Sequence, residues 1–295
     1  MNKTEKSLKN LVREKYAHIA ERGKVENGSS CCGATSTSEK VYNIMTDDYS
    51  ETQGYVEDAD LGLGCGLPTH FARIKPGHTV IDLGSGAGND CFVARHEVGP
   101  EGKVIGIDFT PAMIQKAREN AEKLGYNNVE FREGDIDAMP VNDNVADVIV
   151  SNCVLNLVPD KPRVMSEIFR VLKPGGHFSI SDIVVVGDLP EALREDAEMY
   201  AGCVAGAIQK NTYLNQIADA GFENLILQKE KPITIPDDIL SKYLPEQALR
   251  SFNKDGAGIF SITVYGEKPG MEPEISDRQT NEASASACLP GSGCC

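Results

Sequence analysis

From Thr79 onward, short runs that read as strands alternate with stretches of helical period, and this alternation limits the fold more tightly than any other feature of the chain. TVIDL, KVIGID, NVEFREGD, ADVIVSN and HFSISDIVVV read as five successive strands, most of them apolar and rich in β-branched residues. Between them, Pro111 to Leu124 is a predicted helix with proline near its first turn and Gly125 just past its end. Lys161 to Leu172 is another, closed by KPGG. Strands regularly separated by helices predict an α/β fold, a doubly wound, mostly parallel sheet with helices on both faces.

Outside this stretch the pattern changes. Ser7 to Ala20 is a predicted helix, with Leu8, Val12 and Ile19 near helical spacing, and a loop rich in Ser, Gly and Cys follows from Asn27 to Ser38. After Gly187, Glu191 to Ala207 and Asn211 to Ala220 read as helices, and NLILQKE and GIFSITVYGEK as strands. Residues from about Pro269 are polar and read as a disordered tail. The expected organisation is an N-terminal helix and cysteine-containing loop (1–60), a cofactor-binding core (61–186), a smaller C-terminal α+β lobe for the substrate (187–268) and the tail (269–295). A length of 295 residues fits one large domain with such a lobe.

Composition narrows the partners. The net charge of −15 and the lack of a Lys/Arg cluster argue against nucleic acid, which needs basic patches. No run approaches the roughly 18–20 apolar residues of a membrane span, and the first residues lack a signal-peptide pattern, so a cytoplasmic location is expected. Nine cysteines cannot all pair within one chain, and in a reducing compartment their usual work is metal binding or catalysis.

The strongest motif is Ile81-Asp-Leu-Gly-Ser-Gly-Ala-Gly88, directly after a strand. Gly84, Gly86 and Gly88 permit a tight turn and close approach to a ligand. The loop departs from the dinucleotide fingerprint in its third glycine spacing, and Asp82 stands two residues ahead of its first glycine. Asp108 ends the next strand, near the ~20-residue separation expected of a carboxylate that grips ribose hydroxyls. Asp135, in EGDID after the third strand, is placed to meet an adenine amino group.

DLGSGAG, the acid in GID, GDI, SNCVLNL and RVLKPGG, in this order from about Pro76 to Val186, resemble the class I S-adenosylmethionine-dependent methyltransferases, a Rossmann-like family. The resemblance implies S-adenosylmethionine as methyl donor. It assigns the methionine part of that cofactor to Asp82, Gly84, Gly86 and Asn152, the ribose to Asp108 and the adenine to Asp135.

Methyl transfer usually needs a general base on the acceptor. His70, His78 and His96 show no recognisable pairing, whereas Cys153 follows Asn152 at the end of the fourth strand, on the side where this fold takes its substrate. Cys32 in SSCCG, Cys65 in GLGCGLP and Cys203 in AGCVAGA lie among small residues that would admit a bulky ligated atom. Soft thiolates select thiophilic centres, and the wide separations exclude a local zinc knuckle.

GCGLP, DLGSGAGNDC, SNCVLNLVPDK and GCVAGA together resemble the arsenite methyltransferase family. The resemblance implies three thiolates, Cys65, Cys153 and Cys203, holding As(III) with its lone pair free for the methyl carbon. It also implies an N-terminal cysteine, here Cys32 beside Cys31, that assists a thiol cycle, often by a disulfide with the GCG cysteine. A small thiol or a thioredoxin-type reductant would then be needed, with arsenite and its thiol conjugates as substrates. Cys91 is expected to pack, and Cys288, Cys294 and Cys295 to sit in an accessory tail. A methyltransferase of a small organic molecule would share the cofactor loop but needs none of these cysteines; a metalloid-sequestering protein would leave the loop without purpose.

Overall fold

The computed structural model describes residues 3–28 (side chains from 9 to 21), 47–187, 203–204, 206–233 and 258–270. Cys31, Cys32, Cys288, Cys294 and Cys295 and the tail from 271 lie outside the described residues.

Seven strands form one sheet: β1 (Thr79–Leu83), β2 (Lys103–Asp108), β3 (Val129–Glu133), β4 (Ala146–Asn152), β5 (Leu172–Val186), β6 (Glu223–Ile233) and β7 (Gly258–Glu267), in the order β3-β2-β1-β4-β5-β7-β6. The first five are parallel, as expected. Strand β7 runs antiparallel between β5 and β6.

Helix α1 (Lys3–Gly28) comes first, and the short α2 (Pro68–Phe71) precedes β1. Helices α3 (Asn89–Val98), α4 (Pro111–Leu124) and α5 (Lys161–Val171) make the crossovers, and α6 (Lys210–Asp219) precedes β6. The ends of α4 follow from its sequence: Pro111 occupies the first turn, and Gly125 at φ 68° closes the helix by donating its N–H to Ala121 and Glu122. Asp160 caps α5 by accepting from the Arg163 N–H.

Successive strand residues face opposite layers. Val80, Val104, Val148 and Val150 pack on one side with Phe92 of α3 and Met113 of α4. Ile81, Leu83, Ile105 and Ile149 pack on the other with Val164 and Ile168 of α5 and Ile217 of α6. The near-continuous apolar runs of β1, β2 and β4 are what burial on both faces requires.

The strand runs expected in the C-terminal lobe are β6 and β7, and both join the core sheet: β7 pairs with β5 from His177 to Val186. The remainder of that segment, 188–202 and 234–257, is outside the described residues. So is most of the helix expected from Glu191 to Ala207. At its end Cys203 has φ 65°, which no continuing right-handed helix accommodates.

Strand β1 lies between β2 and β4, so the chain leaves it toward one side and returns on the other. In open α/β sheets this reversal leaves a crevice at the carboxyl ends of the strands, where ligands bind. Gly84 follows β1 and Cys153 follows β4 at that crevice.

Candidate functional site

A cavity of about 370 Å³ opens at these strand ends, within the range of small-molecule sites. The chain turns at once after β1. Gly84 has φ 67°, and a side chain there would come within 2.4 Å of Val154. The turn lets Gly84 and Ser85 donate to the Ile107 carbonyl at 2.8 and 3.0 Å. The Gly86 N–H donates to Asp108 Oδ2 at 3.0 Å, and Oδ1 accepts from the Thr110 N–H at 2.8 Å. Asp108 is thus fixed in the cavity wall with acceptor capacity to spare.

Asp82, Asp90, Asp108 and Asp135 all line the cavity. Burial, then the charge of Asp90, pushes Asp82 well above the usual carboxylate range, although the Cys91 thiol donates to it at 3.3 Å. Burial likewise raises Asp108 against its two backbone N–H donors, and pushes Asp90 up to about 6. Carboxylates crowded away from water resist ionising alone and favour a cationic ligand. Cys91, expected only to pack, also holds Asp82 through its thiol.

At the far end Asp135 pairs with Lys9 of α1. The Lys9 ammonium and Arg13 guanidinium lie 5.8 and 5.7 Å from the centre of the Phe109 ring, cation–π range. Lys9, Val12 and Tyr16 of α1 therefore wall the cavity.

The three described cysteines expected to act together converge. Cys65, Cys153 and Cys203 are free thiols, 0%, 4% and 3% exposed, brought from segments far apart in sequence. The Cys203 thiol donates to the Cys153 carbonyl at 2.8 Å. The Cys153 thiol is pushed well above its ordinary value, first by hydrogen bonding with the Cys203 and Cys65 thiols and then by burial. Burial raises Cys65 as well. Cys65 and Cys153 are therefore held as neutral thiols near pH 7. Among the described residues no group of three Cys, His, Asp or Glu side chains is already arranged to hold a metal ion, so joint ligation of one centre requires these thiols to turn.

Cys153 and Cys203 are held at φ 62° and 65°, left-handed conformations that cost a non-glycine residue on the order of 1–3 kcal/mol and cluster at functional sites. The Cys153 N–H donates to the Ser181 carbonyl at 2.8 Å. Cys153 also lines the cavity, with Gly64 and Asn152, so the thiols and the cavity share a wall.

The sequence matches a family model described as a methyltransferase domain over residues 74–221. An arsenite methyltransferase from Halobacterium salinarum is 40% identical over 271 residues, 89% of this chain and 67% of the relative. Another, from Aquipseudomonas alcaligenes, is 34% identical over 274 residues, 90% of this chain and 74% of the relative. This chain belongs to the arsenite methyltransferase family. The crystal structure of an arsenic(III) S-adenosylmethionine methyltransferase from Chlamydomonas reinhardtii matches with a TM-score of 0.58 and 34% identity, over 72% of this chain and 68% of that one.

The methyl donor of this arsenite methyltransferase family member is S-adenosylmethionine, and the cavity fits it. Its sulfonium and ammonium are cations suited to the crowded carboxylates. Ser85 Oγ and Asn89 Oδ1, buried in the cavity wall, have no hydrogen-bond partner among the described residues, and buried polar atoms seldom stay so.

Several residues of the site were not read from the sequence. Tyr49, 3% exposed, bonds to Asp90 and Asn152. Tyr16 has its hydroxyl pushed well up by burial and by the nearby thiols of Cys203 and Cys153. Behind the thiols lies a buried polar group: Asn156 donates to Asp182 at 2.9 Å, Tyr213 at 3.4 Å, and the Lys161 ammonium lies close enough to lower the Asp182 pKa. Asn156 and Lys161 belong to SNCVLNLVPDK and Asp90 to DLGSGAGNDC, so those motifs carried a signal. Nothing local marks Tyr49 or Tyr16.

Proposed function

We propose that this enzyme methylates As(III) bound by Cys65, Cys153 and Cys203, using S-adenosylmethionine held in the adjoining cavity. The observation that supports this best is the convergence of three buried thiols on a wall of the cavity, with Cys153 belonging to both.

The residues proposed to hold the donor are Asp82, Gly84, Gly86 and Asn152 near its methionyl part, Asp108 at the ribose and Asp135 at the adenine. When bound, S-adenosylmethionine supplies an electrophilic methyl group on a sulfonium. Asp108 orients its ligand through whichever acceptor sites Gly86 and Thr110 leave free. The apolar residues Val12 and Leu61 of the cavity wall limit the water that accompanies the donor.

Arsenite reaches the thiols as a hydroxide. Each thiol gives its proton to an arsenic-bound hydroxyl; an As–O bond breaks, water leaves and an As–S bond forms. The exchange needs no net base, in keeping with neutral thiols. Ligation draws the Cys203 thiol off the Cys153 carbonyl. Arsenic so held keeps a lone pair, and alignment of that pair can supply up to about 7–11 kcal/mol of barrier reduction.

Accepting a methyl cation leaves arsenic two electrons more oxidised. Closure of two thiols to a disulfide returns those electrons, and a small thiol or thioredoxin-type reductant reopens the disulfide. Cys32 is our candidate partner for Cys65 in that disulfide. A reducing cytoplasm would keep such a cycle running. Among the described residues no helix is long and apolar enough to cross a membrane.

The test is to incubate the protein with arsenite, methyl-labelled S-adenosylmethionine and excess glutathione, and to identify products by chromatography and mass spectrometry. Label on arsenic is expected. Donor binding without methylated arsenic would contradict the reading.

A further inference from the structure

Tyr49 precedes the GCG loop in sequence, and its hydroxyl meets both halves of the site. Asn152 donates to the Tyr49 oxygen at 2.6 Å, and the Tyr49 hydroxyl lies 2.9 and 3.0 Å from the two carboxylate oxygens of Asp90. Asn152 itself donates to Asp90 at 3.2 Å and to the Gly66 carbonyl at 2.9 Å. The other end of the same amide, Asn152 Oδ1, accepts the N–H groups of Cys65 at 2.9 Å and Gly66 at 3.3 Å. One side chain therefore faces a carboxylate of the donor cavity with its nitrogen and grips the backbone of a thiol residue with its oxygen.

We propose that Tyr49 is a positioning residue, and that Asp90, Tyr49 and Asn152 form a joint through which a cationic donor in the cavity strengthens arsenic binding at Cys65. This rests on the function proposed above.

The coupling has a stated physical source. Asp90 lines the cavity beside Asp82 and Asp108, and with no cation near, burial disfavours its charged form. A cation in the cavity favours the carboxylate, to which the Tyr49 hydroxyl and the Asn152 amide then donate charge-assisted bonds, the stronger kind. Tightening those bonds fixes the amide plane. A fixed plane keeps Oδ1 on the Cys65 N–H and sets the direction of the thiol. There is little slack, since a side chain at Gly64 would come within 2.5 Å of Asn152 Nδ2. Cys65 is also held from the other side, where Ser261 donates to its carbonyl at 2.6 Å. By linkage, arsenic at the thiols must strengthen donor binding by the same factor.

The experiment uses the full chain at pH 5, below the value of about 6 to which burial raises Asp90, and measures arsenite affinity by calorimetry, without and with saturating sinefungin, a non-reactive cationic analogue of the donor. In wild type, sinefungin should tighten arsenite binding by roughly fivefold or more. In Tyr49→Phe, with sinefungin raised until it saturates the variant, that ratio should fall toward one. Asp90→Asn, which keeps the shape and removes the charge, should also lose the ratio; it serves if Tyr49→Phe does not fold. A purely structural role for Tyr49 would lower both arsenite affinities together and leave their ratio intact, and that result overturns the proposal. A wild-type ratio of one overturns it too while leaving arsenic binding in place. Failure of wild type to bind arsenite at all would overturn the functional reading along with it.

Discussion

The side-chain oxygen of Asn152 accepts the backbone N–H of Cys65 at 2.9 Å across 87 residues of sequence. The family resemblance implies a place for Asn152 at the methionyl end of the cofactor. Asn152 lines that cavity, and it also fixes the loop that carries a thiol. The glycines beside Cys65 follow from this contact: side chains at Gly64 and Gly66 would come within 2.5 Å of Asn152 and of Ser181.

Gly64→Ala should therefore damage the thiol loop more than the cofactor cavity. The new methyl group displaces the Asn152 amide and loosens two backbone N–H bonds, each worth about 0.5–1.5 kcal/mol. Arsenite affinity should fall roughly tenfold, by the 1.4 kcal/mol per decade rule, and S-adenosylhomocysteine affinity should fall by less, since Asn152 is the one proposed donor contact that the methyl group moves. Parallel calorimetric titrations check both.

Asp108→Ala should act on the other half. It removes the acceptor for the Gly86 and Thr110 N–H groups and the proposed ribose contact. Hydrogen bonds to a charged acceptor are worth roughly 1.5–3 kcal/mol each, so S-adenosylhomocysteine affinity should fall by a factor of ten or more. Unchanged affinity would remove Asp108 from the donor site.

Stability should depend on pH through Asp182. Burial pushes this carboxyl from an ordinary 3.8 up to about 7, opposed by the Ile183 N–H, Lys161, Tyr213 and Asn156. A carboxyl whose folded pKa is raised favours the fold when protonated. Its contribution is fully present below about pH 4 and is lost as pH rises through 7. Asp182→Asn keeps the acceptor for Asn156 and is neutral throughout. Relative to wild type the variant should gain stability as pH rises from 5 toward 7, by at most about 1.4 kcal/mol per pH unit, and level off by pH 8. Urea denaturation at pH 5 and pH 8 checks this; an unchanged difference between variant and wild type would show that Asp182 does not titrate in this window.

What the sequence made legible was local. Val80 and Ile81 announce a strand buried on both faces, Gly84 announces a turn at its end, and Asp108 lies at a spacing set by one strand-helix-strand unit. The cysteines were legible because GCGLP, SNCVLNLVPDK and GCVAGA resemble a known family. Strand β7 was visible as a strand, but an apolar run does not say which neighbour it will pair with, and its pairing with β5 in the core sheet was not legible. Cys203 lies in a small-residue stretch that reads as helix, and the left-handed turn that aims its thiol has no glycine at that position to betray it. Tyr49, Tyr16 and Lys9 reach the site from remote segments, where each is an ordinary residue until the chain is folded.

The ligand set of bound arsenic tests the central claim most directly. X-ray absorption at the arsenic K-edge would be recorded on protein loaded with less than one equivalent of arsenite, in a background with Cys288, Cys294 and Cys295 changed to serine. Three sulfur neighbours and no oxygen are expected with Cys153 present, and two sulfurs with an oxygen in Cys153→Ser. Arsenic bound through oxygen with Cys153 present, or an unchanged three-sulfur shell in Cys153→Ser, would contradict the assignment of the thiol site.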